Sequence, residues 1–239
     1  MPTHDDNRVL ITGGARGIGA AIAQRCRDDG YTPVILDRYG DDPEIVHCDL
    51  SGTASTADAL RRVLVDGPIT RIVNNVGAVF PHTLEEQTLD EFDRAAALNL
   101  RSAFQCTQAL IPGMTGRNFG RIVSVSSRAA LGKTARTAYA ATKAGLLGAT
   151  RVWALELGQH GITANAVAPG PIATELFADA NPADAPKTRQ IIDGIPVGRM
   201  GTPDDVAHSV SFFLDDRSGF TTGQTSHVCG GLTVGVADV

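Results

Sequence analysis

Apolar residues along this chain fall into two alternating kinds of run. The short ones, RVLIT (8–12), TPVILD (32–37), EIVHCDL (44–50), RIVNNVG (71–77), RIVSVSS (121–127) and ITANAVAP (162–169), are rich in β-branched residues and each ends in a turn signal, which predicts strands. Between them, residues 18–30, 56–67, 89–114 and 138–161 carry apolar side chains at helical spacing and mostly stop at Gly or Pro. QTSHVCG (224–230) would supply a final strand. Strands alternating with helices require right-handed crossovers, hence a parallel sheet covered on both faces. No linker, repeat or low-complexity tract interrupts the pattern, so residues 1–239 are expected to form a single α/β domain.

Composition narrows the function more than the fold. At 239 residues, 43% hydrophobic and 20% charged, the chain is long enough to bury a sizeable core. Its 21 basic and 26 acidic residues give a formal charge of −5, and no Lys/Arg block is long enough to track phosphates, which argues against nucleic acid. No apolar stretch approaches the roughly 20 residues that span a bilayer, so no membrane role is expected. Cys26, Cys48, Cys106 and Cys229 show no C-x-x-C spacing, and MPTHDDNR lacks the basic-then-apolar order of a signal peptide. A reduced, cytoplasmic protein with buried thiols is the expectation. His4, His47, His82, His160, His208 and His227 are dispersed, and no metal site is expected.

The first strand runs into TGGARGIG, Thr12 to Gly19. Glycines before a helix N-terminus let backbone N–H groups approach a pyrophosphate that a Cβ would hold away. The spacing here is Gly13, Gly17, Gly19, so a tight strand-to-helix turn is the competing explanation. Asp37 supports the nucleotide reading: it closes the second strand, where a carboxylate can accept hydrogen bonds from adenosine ribose hydroxyls.

TGGARGIG, NNVG (Asn74 to Gly77), the Asn of ALNL (Asn99), VSVSS, YAATK and PGPIAT (Pro169 to Thr174) occur in the order that marks the classical short-chain dehydrogenase/reductase family. GRMGTPDDVAHSVSFFLDD and TTGQTSHVCGG resemble its C-terminal region, so the resemblance covers nearly the whole chain. It implies a Rossmann-type, doubly wound, seven-stranded parallel sheet with helices on both faces. It also implies hydride transfer between a nicotinamide and a carbonyl/alcohol pair, in a manner similar to the 3-oxoacyl-carrier-protein reductase branch.

RTAYAATKAG (136–145) places Tyr139 and Lys143 four residues apart, on one face of a helix. Carbonyl reduction needs an acid and alcohol oxidation the matching base, yet an unperturbed Tyr titrates near roughly 10. An ammonium about 4 Å away would be worth roughly 4 kcal/mol at an effective dielectric of about 20, so Lys143 is expected to draw the phenol toward neutrality. A hydroxyl should orient the substrate oxygen, and two serines compete. The family's usual separation of thirteen, counted back from Tyr139, lands on Ser126; counting forward from Gly120 along the strand lands on Ser127. Strand register is harder to shift than loop length, which favours Ser127. By the resemblance, Asn99 would hold a water that relays protons to Lys143.

The resemblance assigns the cofactor to Gly13, Arg16, Gly17, Ile18, Gly19, Asp37, Asp49, Asn75, Gly77, Tyr139, Lys143, Pro169, Gly170, Ile172 and Thr174. Asp49 corresponds to an adenine contact, and Pro169 to Thr174 to the segment holding the nicotinamide carboxamide. Arg16 is of a type common in members preferring NADP, but the Asp37 carboxylate would repel a 2′-phosphate. NAD is therefore expected, with NADP second. A small alcohol or ketone substrate should be lined by 78–82, by 128–137 and by a polar, Pro-containing lid at 175–196. Lys133, Arg136, Lys187 and Arg189 could meet an anionic group there, although solvated surface charge explains each as well. Cys229 stands where related chains commonly carry Asp, which leaves that position's role open. FQCTQALIPGM and LLGATRVWALEL are more apolar than one sheet face requires, and a homotetramer is expected. A nucleotide-binding regulator without catalysis is the alternative, but it would have no use for Asn99, Ser127, Tyr139 and Lys143 together.

Overall fold

The computed structural model describes residues 7–42, 44–180 and 185–235; His4 and the 181–184 portion of the expected lid lie outside them. Seven strands form one parallel sheet in the order β3-β2-β1-β4-β5-β6-β7. They are β1 (Arg8–Thr12), β2 (Thr32–Asp37), β3 (Ile45–His47), β4 (Arg71–Asn74), β5 (Gly120–Val125), β6 (Ile162–Pro169) and β7 (Thr225–Val228). The helices are α1 (Gly17–Asp28), α2 (Thr53–Leu64), α3 (Leu89–Ala96), α4 (Ser102–Arg117), α5 (Thr137–Leu157), α6 (Glu175–Ala180), α7 (Pro186–Asp193) and α8 (Pro203–Leu214). The Rossmann-type architecture expected from the sequence is the one observed.

Strand periodicity builds the core, because alternate residues point to opposite faces. Val9 and Ile11 of β1 join Val73, Val123 and Val167 under α1 and α8, where Ile22, Val206 and Phe213 close the layer. Leu10, between them in sequence, joins Ile72, Ile122 and Ile162 on the other face, against Leu60 of α2 and Leu110 of α4. At the amino edge, Arg71 of β4 is fully buried, paired with Asp216 at 2.5 Å. The Arg71 and Arg121 guanidiniums lie 4.6 and 4.3 Å from the centroid of the Phe119 ring, with Tyr31 4.9 Å from Arg71. Ring faces and a carboxylate thus stand in for water around two charges in the sheet interior.

The helical pattern at 89–114 is not one helix. It opens on a capping box, with Thr88 Oγ1 accepting the Glu91 N–H and the Glu91 carboxylate accepting the Thr88 N–H. It then widens into a π turn over Ala97–Arg101 before α4 resumes. Asn99 lies in that turn, where its side chain competes for backbone outside the helix. α5, by contrast, runs unbroken for 21 residues.

Candidate active site

Strand order reverses between β1 and β4, so the loops after these strands diverge and leave a crevice at their carboxyl ends. Thr12 fixes both loops: its Oγ1 accepts the N–H groups of Asn75 at 3.0 Å and Val76 at 3.1 Å. Asn75 answers by donating its amide to the carbonyls of Thr12 at 3.0 Å and Gly13 at 2.8 Å. The Asn75 side chain is thus committed to shaping the glycine loop rather than turned to a ligand. Gly13 and Gly17 take φ of +68° and +56°, the left-handed region that glycine enters at no steric cost. A Cβ on Gly19 would lie 1.9 Å from the Gly13 carbonyl oxygen, so the loop closes only around a bare backbone.

α1 then begins with no side chain capping it and no acidic residue in its first turn. An uncapped helix N-terminus behind a glycine loop fits the pyrophosphate of a dinucleotide. Ile18 packs its side chain against the core. Asp37 is buried at the end of β2, its oxygens accepting the N–H groups of Ala15 at 3.0 Å and Tyr39 at 3.1 Å. Arg16 and Arg38 both stack on the Tyr39 ring, at 4.4 and 4.7 Å from its centroid. Asp49 is exposed after β3, and hydrogen bonds from the Ser51 hydroxyl and N–H hold its carboxyl below the usual range.

Beyond β6, Gly170 donates its N–H to Val228, and a Cβ there would come within 2.8 Å of Cys229 Cα. Pro169 ends the strand, Ile172 is buried in a one-residue bridge to Gly201, and Thr174 Oγ1 caps α6 by accepting the Phe177 N–H. Thr174 lies across from the start of α1, since a Cβ on Gly17 would meet its methyl at 3.7 Å.

The structure separates the two serines. Ser126 is buried, its N–H bonded to Val167 and its hydroxyl donating to the Lys143 carbonyl at 2.8 Å. Ser127 Oγ instead accepts the Ala129 N–H at 3.1 Å and hydrogen-bonds the Tyr139 phenol. Lys143 is 3% exposed and donates Nζ to the Val125 carbonyl at 2.7 Å. Burial brings its ammonium down from 10.5 to about 8. Asn99 accepts the Ala78 N–H at 2.8 Å and donates to the Ala78 carbonyl at 3.0 Å and to Thr142 Oγ1 at 3.1 Å. A Cβ on Gly77 would fall 3.2 Å from Asn99 Oδ1 and 3.3 Å from Lys143 Nζ, so this glycine lets the β4 loop lie directly over both.

One expectation fails. Lys143 Nζ lies over the Tyr139 ring, 5.7 Å from its centroid, and is directed to a strand carbonyl. The phenol is not drawn toward neutrality. Burial pushes it above its ordinary 10, and the Ser127 hydrogen bond and the Arg136 charge only partly oppose that. The i, i+4 spacing puts the two residues on one face without fixing where the ammonium points.

Two residues of this network escaped the sequence reading. Thr12 carries no signal beyond its place before the glycines. Gln87, in the loop before α3, accepts the Ala138 N–H at 3.0 Å through Oε1 and donates Nε2 to the Phe80 carbonyl at 3.3 Å. Among the described residues, no group of His, Cys, Asp or Glu could hold a metal ion, and no helix is long and apolar enough to cross a membrane. All four cysteines are free and buried.

The family model described as enoyl-(acyl carrier protein) reductase matches residues 13–233. The chain is 36% identical over 244 residues to the (2S)-[(R)-hydroxy(phenyl)methyl]succinyl-CoA dehydrogenase subunit BbsD of Thauera aromatica, covering 95% of this chain and 97% of that protein. It is 38% identical over 236 residues to an acetoacetyl-CoA reductase of Rhizobium meliloti (strain 1021), covering 93% and 97%. Among solved structures, a blue fluorescent protein from a metagenomic library in complex with NADPH aligns with a TM-score of 0.84 at 32% identity, covering 95% of this chain and 98% of that one.

Proposed function

Because the chain belongs to the short-chain dehydrogenase/reductase family, an NAD(P)-dependent oxidoreductase family, we propose that it reduces the ketone of a 3-oxoacyl thioester to the secondary alcohol, with Tyr139 as general acid. The observation that carries this reading is the Tyr139–Ser127 pair. A phenol held above its ordinary pKa is protonated at neutral pH, and a protonated phenol can donate to a carbonyl oxygen as negative charge develops on it. Ser127, on the same hydrogen-bonded pair, orients that oxygen; Ser126, committed to the Lys143 carbonyl, has no hydroxyl proton left to offer. The bound nicotinamide supplies the hydride.

Once the phenol has given up its proton, Arg136 and the Lys143 ammonium are the positive charges beside it. Lys143, at about 8, exchanges protons near neutral pH and would return one to Tyr139, and Asn99 would hold the water that relays protons to Lys143. In the alcohol-oxidation direction the same residues run in reverse, Tyr139 accepting the hydroxyl proton. Gly13, Arg16, Gly17, Ile18 and Gly19 would hold the pyrophosphate end through backbone N–H groups, Asp37 the ribose, and Asp49 the adenine. Gly77, Pro169, Gly170, Ile172 and Thr174 would frame the nicotinamide end, and Asn75 would act by holding the loop in shape. Asp37 favours NAD over NADP, with Arg16 and Arg38 opposing it.

The thioester assignment draws on the two relatives above, both named for acyl-CoA substrates. The 175–196 segment, α6 and α7 among it, would cover the substrate. Exposed Phe104 on α4 with Val152 and Leu155 on α5 offer an apolar face for a second copy, in support of a homotetramer, and free cysteines suit a reducing cytoplasm. The test is a panel of acetoacetyl-CoA and simple cyclic and linear ketones with NADH and NADPH, followed by nicotinamide absorbance. The reading expects acetoacetyl-CoA to give the highest kcat/KM; preference for a small ketone without the thioester would remove the substrate assignment and leave the chemistry.

A further inference from the structure

α5 begins without a cap of its own. Arg136, at its N-cap, makes no side-chain hydrogen bond to the first turn, and no acidic residue occupies that turn. Ala138 is 1% exposed, so its N–H is a buried donor that must find a partner. The partner comes from another part of the chain: Gln87 Oε1, at 3.0 Å.

Gln87 is itself held firmly. Its N–H bonds the Thr83 carbonyl at 3.0 Å, its Nε2 donates to the Phe80 carbonyl at 3.3 Å, and the next residue, Thr88, opens the capping box of α3. At the other end of the same loop, Ala78 exchanges two hydrogen bonds with Asn99, which donates to Thr142 Oγ1, and Thr142 Oγ1 donates in turn to the Tyr139 carbonyl at 2.9 Å. The 78–87 loop is therefore tied to α5 at Ala138 and at Thr142, on either side of Tyr139.

We propose that Gln87 is a positioning residue for the reaction: through the Ala138 N–H it sets the first turn of α5, and with it the aim of the Tyr139 phenol toward Ser127. It touches neither substrate nor cofactor. The proposal rests on Tyr139 being the general acid. Misplacing a proton donor by a fraction of an ångström is costly in rate even when binding is intact.

Two variants separate this from a merely structural role. Gln87→Met keeps volume and removes the acceptor; Gln87→Glu keeps the acceptor but loses the Nε2 donor that serves the Phe80 carbonyl and the Glu91 carboxylate. With acetoacetyl-CoA and NADH, Gln87→Met is expected to lower kcat about tenfold with KM for NADH unchanged, and Gln87→Glu, which retains the acceptor, to lose less. The second readout is independent of turnover: the Tyr139 titration, followed by NMR of tyrosine labelled at Cζ, which gives three signals, one for each tyrosine, with Tyr139 assigned by its loss in Tyr139→Phe. The Ser127 hydrogen bond lowers the phenol's pKa, so a phenol that Gln87→Met turns away from Ser127 must titrate higher than in the wild type. Equal kcat in all three proteins, equal loss in both variants, or an unmoved midpoint in Gln87→Met would overturn the proposal. If Gln87→Met does not fold, Gln87→Ala, which also removes the acceptor, takes its place in both readouts. A wild type that ignores acetoacetyl-CoA counts against the substrate assignment, while the titration still tests Gln87.

Discussion

The role proposed for Lys143 comes at a cost to folding, and that cost has a pH signature. The ammonium is 3% exposed, bonded to one carbonyl, and its pKa falls from 10.5 to about 8. Below pH 8 both folded and unfolded chains carry the proton, and the full penalty of burying the charge applies. Between about 8 and 10.5 the folded chain releases the proton while the unfolded chain keeps it, so stability rises with pH through that window. The gap corresponds to roughly 3 kcal/mol in full, of which about 2.5 kcal/mol falls between pH 7 and pH 10. Lys143→Met removes the titration and leaves the Val125 carbonyl without its donor, a pH-independent loss of about 1–3 kcal/mol. Urea unfolding of the nucleotide-free protein at pH 7, 8, 9 and 10, in wild type and variant, isolates the effect by difference. Cys26 and Cys106, both pushed up to about 12 by burial, titrate in both proteins and cancel. The wild type should gain about 2.5 kcal/mol relative to Lys143→Met from pH 7 to pH 10. Parallel stability curves would refute the claim that Lys143 is a desolvated charge.

With Asp37 proposed to face the ribose, wild type should favour NAD over NADP by roughly tenfold to thousandfold in kcat/KM, and Asp37→Ser should raise NADP efficiency and lower that of NAD. Arg16→Ala should barely disturb NAD, and a wild type preferring NADP would show that Arg16 and Arg38 prevail at the ribose. Gly19→Ala forces a methyl against the Gly13 carbonyl; a destabilisation of about 1–3 kcal/mol and loss of NADH binding in calorimetry are expected, and unchanged binding would contradict the loop geometry. Light scattering at micromolar concentration should give a tetramer mass, and Leu155→Glu should reduce it; a wild-type monomer would count against the apolar α4–α5 face as an interface.

Much of this architecture can be read from sequence because β-branched runs and glycine turns are local. β1, β2 and β6 span 8–12, 32–37 and 162–169, the boundaries that the apolar runs predict. The π turn at Ala97–Arg101 cannot be read that way: Asn99, inside it, bonds Ala78, a contact between segments whose separation the periodicity does not encode. Counting along β5 pointed to Ser127 because register is set by strand pairing, and the structure places that hydroxyl, not Ser126, against Tyr139. Helical spacing put Lys143 beside Tyr139 but could not tell that a strand carbonyl would capture the ammonium. Gln87 is invisible for the same reason as Ala78: its partner is fifty-one residues away, and nothing in LEEQTL distinguishes a glutamine that caps a distant helix from one that faces solvent.

The central claim is that Tyr139 donates the proton to a ketone, and Tyr139→Phe tests it most directly because it removes that proton and little else. Reduction of acetoacetyl-CoA should be measured in wild type and variant at saturating cofactor, with NADH affinity determined separately by calorimetry. The account predicts turnover in the wild type, a fall of at least about a hundredfold in Tyr139→Phe, and NADH affinity within about threefold in both. A variant that keeps a tenth of wild-type turnover would contradict it.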